Sequence, residues 1–438
     1  MSKKIATFVI AGTACGLATA QSDLDLERAY SAELLADAAN RTSLLQGAGE
    51  GSGFTLTSGD GQSTLTTNAL FQFRYVANFR DENNAGVGAD NDFTTGFEIP
   101  RARIDWSGNL INDNLTYRIS VDGGAINNAA NSDPHQLQVT WAYGQYAFEG
   151  MDGAFVRFGQ FKAPLLWEEL VDAEFQLAAD RSVANETFTG GYSQGLMFGY
   201  EAEAWRGYFA FTDGLNSAGS RYNSAGAADY ALTARADFKI AGDWARFTDF
   251  TSWRNSDYAG KIGAAVHWES YGDTNPSSGG GPLGLSQGVQ GDQLVYTIDA
   301  AVEGNGWNAF AAFFGSWTES DTGTNTDRND FGVVAQAGVF LTDQFELFGR
   351  YDGIFLDSDR PGAEDDFNFA AIGFNYYFFP ESHAVKATVD LLMSFDETVP
   401  SLTAINGLGQ GGATSPTSFL GQGDDTEFAI RAQASVLF

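Results

Sequence analysis

Six basic side chains could act as a set: Arg74, Arg101, Arg103, Arg118, Arg157 and Lys162. Guanidinium groups fixed in a narrow, partly desolvated passage attract oxyanions, often through paired hydrogen bonds. Rings of such groups select anions. The same cations could instead pair with nearby carboxylates such as Glu98, Asp105 and Asp122 and brace a wall. Both readings are open at this point. Other chemistry has less to stand on. His135, His267 and His383 are scattered, and none has a second His or a Cys beside it, so neither a metal site nor a cofactor is expected. A Ser–His hydrolase centre would use His267, but nothing identifies a serine for it. Asp321, Asn325, Asp327 and Asn329 alternate in a polar stretch that could wrap Ca²⁺. The glycine and the closing glutamate of the standard calcium loop are missing there, and a solvated loop is the plainer reading.

The elements that must position these residues are strands. From residue 64 onward apolar and polar residues alternate. In the last segment Phe428, Ile430, Ala432, Ala434, Val436 and Phe438 oppose Glu427, Arg431, Gln433 and Ser435. In the first, Phe71, Phe73, Tyr75, Ala77 and Phe79 oppose Gln72, Arg74, Asn78 and Arg80. Such alternation gives each strand one apolar and one polar face. It recurs in sixteen segments between residues 64 and 438. Short links such as Gly150–Gly153, Gly304–Gly306 and Thr342–Gln344 alternate with long ones such as 162–191, 271–291 and 395–425. One link on the short side, about 241–259, is unusually long. An even strand count with short turns at one rim and long loops at the other is the transmembrane β-barrel pattern. In lipid, a closed barrel gives every strand backbone group a partner. Trp106, Trp141, Phe148, Trp268, Trp317, Tyr377, Phe378 and Phe379 near segment ends fit aromatic girdles at the two membrane interfaces. The fold class is therefore all-β: a 16-stranded antiparallel transmembrane β-barrel with a short N-terminal helical segment. Barrels of this size leave an aqueous channel.

The strand reading places the cations. Arg74 and Arg118 lie on polar faces. Arg101 and Arg103 share parity with Asp105 but also with Phe97 and Ile99, so a bulge near Pro100 is needed to turn them inward. Arg157 shares parity with Phe155 and Phe161 and is placed inward on the cost of facing it to lipid, about 2–4 kcal/mol at the midplane. Lys162 opens the third long loop.

Composition narrows the class. The chain of 438 residues has 24 basic and 56 acidic side chains, a net −32. That charge argues against nucleic acid as a partner. An aromatic content of 14% removes the disordered reading that high acidity alone would suggest. Lys3 and Lys4 precede the apolar run Ile5–Leu17 and the small residues Ala18-Thr19-Ala20, which reads as a signal peptide over 1–20. The single Cys15 lies inside it, so no disulfide is available afterwards. Without Lys3 and Lys4 the chain keeps 22 basic and 56 acidic residues, a net −34. Residues 21–63 read as a periplasmic helix, about 23–46, and a glycine-rich linker. The barrel then spans 64–438. An aromatic final residue, Phe438, resembles the C-terminal signal of outer-membrane proteins.

Residues 154–198 resemble the phosphate-selective porin O and P family. The resemblance lies in Gly159-Gln160-Phe161-Lys162-x-Pro164 closing a strand, then Glu168, Glu169 and Glu174, then Arg181-Ser182 before the next strand. The stretch 97–106 resembles the family's Arg-x-Arg strand opening. The resemblance implies a bacterial outer-membrane channel, a homotrimer, with a third loop folded into the lumen and a constriction lined by Arg and Lys, which in some members passes phosphate. The link at about 162–191 reads with a helix from about Leu165 to Ala179, and a local argument favours its folding inward: Leu165, Leu166, Trp167, Leu170, Val171, Phe175 and Leu177 are too apolar to face water. Packing over the rim is the alternative. The expected partners are outer-membrane lipid and small hydrophilic solutes or inorganic ions. The excess acid in putative outer loops, such as Asp81, Glu82, Asp90 and Asp92 or Glu364, Asp365 and Asp366, repels anions, with screening within about 8–10 Å. Phosphate preference and a general or weakly cation-preferring passage are thus both compatible with the sequence. A structural or adhesive barrel without significant transport is the alternative to a channel.

Overall fold

A computed structural model describes residues 53–438 except 81–91, 125–136, 223, 225–226, 273–282, 284–288, 322–326, 361–365, 397, 399–416 and 421–425. The segments read as signal peptide and N-terminal helix, His135 and most of the stretch read as a possible calcium loop lie outside the described residues. Sixteen strands follow one another around a ring. They are β1 (Thr64–Phe79), β2 (Phe93–Glu98 continued by Ala102–Leu110), β3 (Asn112–Asp122), β4 (Gln138–Ala147) and β5 (Ala154–Lys162). Next come β6 (Tyr192–Glu201), β7 (Trp205–Thr212), β8 (Tyr230–Ala241), β9 (Ala259–Tyr271), β10 (Gly291–Gly304) and β11 (Trp307–Ser320). The last are β12 (Arg328–Phe340), β13 (Phe345–Phe355), β14 (Asp366–Tyr377), β15 (Val385–Ser394) and β16 (Phe428–Leu437). Each pairs antiparallel with its sequence neighbours, and β16 closes on β1 from Phe428 opposite Phe79 to Leu437 opposite Leu70. A short extra strand, Phe54–Thr57, pairs with the start of β1, so the end of the segment read as linker is ordered on the barrel.

The alternation positions the side chains as the period requires. On β1, Phe71 and Phe73 are each 42% exposed, whereas Gln72 and Arg74 are fully buried. The bulge at Pro100 is present. Between the pairs Arg74–Glu98 and Phe71–Ala102, β1 has two residues and β2 has three. Phe97 and Ile99 face outward, and Arg101, Arg103 and Asp105 are buried. Proline suits that place because it has no N–H to give the ladder. Outward arginines would each cost about 2–4 kcal/mol at the midplane, which a one-residue bulge avoids.

Two girdle assignments do not hold. Trp141 is 6% exposed and faces inward, because the β3–β4 register shifts between Ile119 and Val121 and sets Ser120 against two residues of β4. Tyr377 is fully buried and its neighbour Tyr376 is exposed, as the strand period demands. Exposed aromatics at strand ends include Phe93, Tyr200, Trp205, Tyr230 and Trp307.

The connection between β5 and β6 lies against inward-facing side chains from around the ring. It is not the single helix that its apolar spacing suggests. It holds a helical turn, α1 (Trp167–Leu170), a 3₁₀ turn (Ala173–Phe175) and a second helix, α2 (Val183–Phe188), capped by Ser182. Side chains capture the carbonyls a longer helix would use. Gln176 donates to Glu168 and Val171 carbonyls at 2.9 and 3.0 Å, and Arg181 donates to Glu168, Glu169 and Val171 carbonyls at 2.8–3.3 Å. Leu165, Leu166, Trp167, Val171, Leu177, Val183 and Phe188 are buried in one cluster with Phe310, Phe314, Val334, Phe348 and Phe369 of β11–β14. The interior of that wall is thus partly apolar, and it receives the apolar side of the loop. The long link after β8 also folds inward. Its Phe250 N–H donates to the Phe175 carbonyl at 3.2 Å, and Trp253 packs on Phe340, Tyr377 and His383.

Candidate functional site

Five of the six sequence-selected cations come together where the loop crosses the wall of β1–β5. Three of them repeat one arrangement: each lies between a strand carboxylate and a loop carboxylate. Arg74 reaches Glu98 at 3.2 Å and also grips Asp180. Arg103 reaches Asp122 at 3.3 Å and Glu174 at 3.5 Å. Arg118 reaches Asp105 at 2.7 Å and Asp172 at 3.0 Å. Arg101 binds Asp180 at 2.8 Å and Gln72 at 3.0 Å. Lys162 lies 3.3 Å from Glu169 and 3.4 Å from Asp172, and donates to the Glu169 carbonyl at 2.6 Å. Glu98, Asp105 and Asp122 are the wall carboxylates that the sequence offered as partners. The loop carboxylates were not foreseen, because strand parity says which way a side chain points and not which loop residue will meet it.

Arg157 stands apart. It donates twice to the Gln145 side-chain oxygen, at 3.0 and 2.8 Å, and stacks on Tyr143 at 4.3 Å. Among the described residues no carboxylate pairs with it. Its parity with Phe155 and Phe161 needs no correction, since both are buried with Trp141 and Met197 in an interior cluster beside Tyr143, Tyr192 and Tyr208.

Parity alone could have added more interior cations. Arg431 binds Asp390 through two nitrogens at 2.8 and 2.6 Å. Arg350 donates to the Asp180 carbonyl at 2.8 Å. On β8–β10, Arg235 binds Asp237 at 2.6 Å and Asp299 at 2.9 Å, and Lys261 lies over the Trp167 ring. Lys386 holds the loop carbonyls of Glu174 and Gln176 at 3.1 and 2.9 Å.

The loop carboxylates feel these cations. Burial pushes Asp180 up, but Arg101, Arg74 and Arg431 outweigh it and hold the carboxyl well below the usual range. Asp172 behaves the same way, with Arg118, Lys162 and Arg103 overcoming burial. Glu186 on α2 goes the other way: burial and the neighbouring Glu169 push it up to about 7 against the pull of Arg181.

Among the described residues no cluster of three or more His, Cys, Asp or Glu is arranged to hold a metal. His267 meets the Thr233 hydroxyl at 2.7 Å and Glu269 at 3.3 Å, so the hydroxyl against it is a threonine's, on the neighbouring strand. His383 lies 3.4 Å from Asp249.

Solved structures share this fold. The anion-selective porin from Comamonas acidovorans is 11% identical, with a TM-score of 0.55, over 86% of this chain and 100% of that one. The loop L8 deletion mutant of OmpT, an outer membrane protein of Vibrio cholerae, is 10% identical with a TM-score of 0.51, over 86% and 99%. The outer membrane channel DcaP of Acinetobacter baumannii is 14% identical with a TM-score of 0.50, over 87% and 99%. No curated protein matches the sequence. The family described as phosphate-selective porin O and P matches residues 71–393, about three quarters of the chain. With a closed sixteen-stranded barrel and that match over most of its length, this chain is an outer-membrane diffusion channel and belongs to the phosphate-selective porin O and P family.

Proposed function

We propose that this porin passes small hydrophilic solutes and inorganic ions with weak charge preference. In this reading Arg74, Arg101, Arg103, Arg118, Arg157 and Lys162 line the passage. All but Arg157 hold the loop in place and do not stand free to bind phosphate. The observation that carries the reading is the threefold repeat in which Arg74, Arg103 and Arg118 each bridge a strand carboxylate and a loop carboxylate. A guanidinium already shared by two carboxylates has little charge left for a passing anion, and the chain's net −32 adds nothing to attract one. The same reading takes residues 1–20 as a signal peptide, residues 21–63 as a periplasmic appendage and the assembly as a homotrimer. It assigns the chain no catalytic step. The apolar outer face, with exposed Phe97, Phe158, Phe198 and Phe211, is the surface that lipid or a second copy would cover.

The test is the reversal potential of the protein in a planar bilayer under a KCl gradient, repeated with added phosphate. A permeability ratio near unity, or modestly in favour of potassium, with no phosphate block, is the expected result. Strong anion preference with phosphate block would overturn it and make the guanidinium groups an oxyanion-selecting ring. A folded barrel without conductance would favour the structural or adhesive role.

A further inference from the structure

We propose that Asp172 and Asp180 are tethered counter-anions: each occupies a nest of basic side chains that would otherwise take a free oxyanion, inorganic phosphate or a small carboxylate, and together they set the ion preference of the channel. This rests on the reading that solutes pass beside the loop. Each carboxylate is held as a bound anion would be. In Asp180, Oδ1 meets Arg101 at 2.8 Å and Oδ2 meets Arg74, so two guanidinium groups from two strands grip its two oxygens. In Asp172, Oδ2 meets Arg118 at 3.0 Å and Oδ1 meets Lys162 at 3.4 Å. Split recognition of both oxygens is how cationic side chains bind carboxylate and phosphate ligands.

The strand carboxylates do a different job. Asp122 also accepts the backbone N–H groups of Ala102 and Gly124 at 3.1 and 2.9 Å, so the strand fixes it in place. Asp172 and Asp180 come from a connection between β5 and β6 and reach the wall as a ligand does. They are eight positions apart, and both face basic groups of β1–β5. The four cations differ in what remains if the aspartates lose their charge. Arg74 keeps Glu98, Arg118 keeps Asp105 and Lys162 keeps Glu169. Among the described residues Arg101 keeps only the hydrogen bond to the Gln72 amide oxygen at 3.0 Å. Neutralising Asp180 therefore leaves one guanidinium with no carboxylate in ion-pair contact among the described residues, at a place already shaped for one.

The experiment uses the full chain with Asp172→Asn, Asp180→Asn and both together. Asparagine keeps the shape and one acceptor oxygen, so the loop can stay docked. Heat-modifiable gel mobility reports that the barrel has folded. The expected result is a several-fold rise in the chloride-to-potassium permeability ratio, larger for Asp180→Asn than for Asp172→Asn. Inorganic phosphate should reduce the chloride current of the double variant and leave the wild type unaffected. Adding Arg101→Gln to Asp180→Asn should cancel the gain and the block. Folded, conducting variants with the wild-type reversal potential overturn the proposal alone. A wild-type barrel that folds but does not conduct overturns the channel reading and this proposal with it. If Asp180→Asn does not fold, Asp172→Asn decides alone: a shift toward chloride supports the proposal and an unchanged potential sinks it.

Discussion

Arg74 and Arg103 look alike in sequence, yet replacing each by methionine should cost very different amounts of stability. Arg74 is fully buried and uses its guanidinium on at least four partners. It donates to the Gln433 side-chain oxygen at 2.9 and 2.8 Å, to Glu98 at 3.2 Å, to the Ala179 carbonyl at 3.2 Å and to Asp180. Arg74→Met strips the Gln433 oxygen of both these donors and removes the cation from Glu98. Removing one partner of a buried ion pair costs about 3–5 kcal/mol. Arg103→Met leaves less behind. Asp122 keeps the N–H groups of Ala102 and Gly124, and Glu174 meets Arg103 only at 3.5 Å, without a hydrogen bond to lose. That loss should fall near the value of one charged hydrogen bond, about 1.5–3 kcal/mol. The assay is reversible urea unfolding in lipid vesicles, followed by tryptophan fluorescence and extrapolated linearly to water. Arg74→Lys should fall between wild type and Arg74→Met, since an ammonium cannot fork across Gln433 and Glu98. Equal losses for the two methionine variants, or a larger loss at Arg103, would refute the partner-by-partner reasoning.

Further outcomes follow from the same geometry. Gly159 has φ +122°, and a Cβ there would sit 2.2 Å from the Ala142 carbonyl oxygen, so Gly159→Ala should lower stability by at least about 1–3 kcal/mol in the same urea titration. An unchanged midpoint would contradict the strain. Glu186, pushed up to about 7, holds a proton in the folded state that the unfolded chain has released at that pH. Its contribution therefore weakens as pH rises from the ordinary glutamate value, roughly 4.3, through 7. Glu186→Gln should flatten that slope and be the more stable form at pH 8, and a profile parallel to wild type would rule this out. Asp172 and Asp180 have the opposite sign. Their anchoring is complete above the ordinary aspartate value, about 3.9, and is lost only as pH falls below it. Single-channel conductance of the Glu186→Gln variant should accordingly stay flat between pH 7 and pH 5, and a step in that range would contradict this anchoring.

The barrel was legible because lipid imposes a simple rule. A strand with lipid on one side must alternate, and segments such as β1 and β16 show it residue by residue. The Pro100 bulge was legible for the same reason: Phe97, Ile99, Arg101 and Arg103 share one parity but cannot share one solvent, and a proline marks the break. Trp141 was misplaced because no comparable conflict marks the irregularity opposite Ser120. The helical content of the loop was overestimated because Arg181, Gln176 and Lys162 take up its carbonyls, and apolar spacing carries no sign of that. Arg74 and Arg118 follow from parity, Arg101 and Arg103 from the bulge, and Arg157 from the cost of facing it to lipid. Their loop partners, Asp172, Glu174 and Asp180, were not legible, because a loop has no period to fix where its side chains arrive.

The loop's anchoring also bears on the order in which the molecule can assemble. Residues 163–191 lie between β5 and β6; besides their cations on β1–β5 they also take partners from strands made much later. The Ala179 N–H is held by Asp390, 211 positions on, and the Asp180 carbonyl by Arg350, 170 positions on. The Ala179 carbonyl accepts from Gln433, 254 positions on. None of these groups is near the loop until β13, β15 and β16 are in place, and β16 is the strand that closes the ring on β1. Contacts so distant in sequence make for slow folding, since chain closure must precede any reward from them. The loop's anchoring is thus completed by the same event that seals the wall. An assembly intermediate lacking β16 would have an open seam and an unfastened loop together, so protection of residues 163–191 from protease would report ring closure.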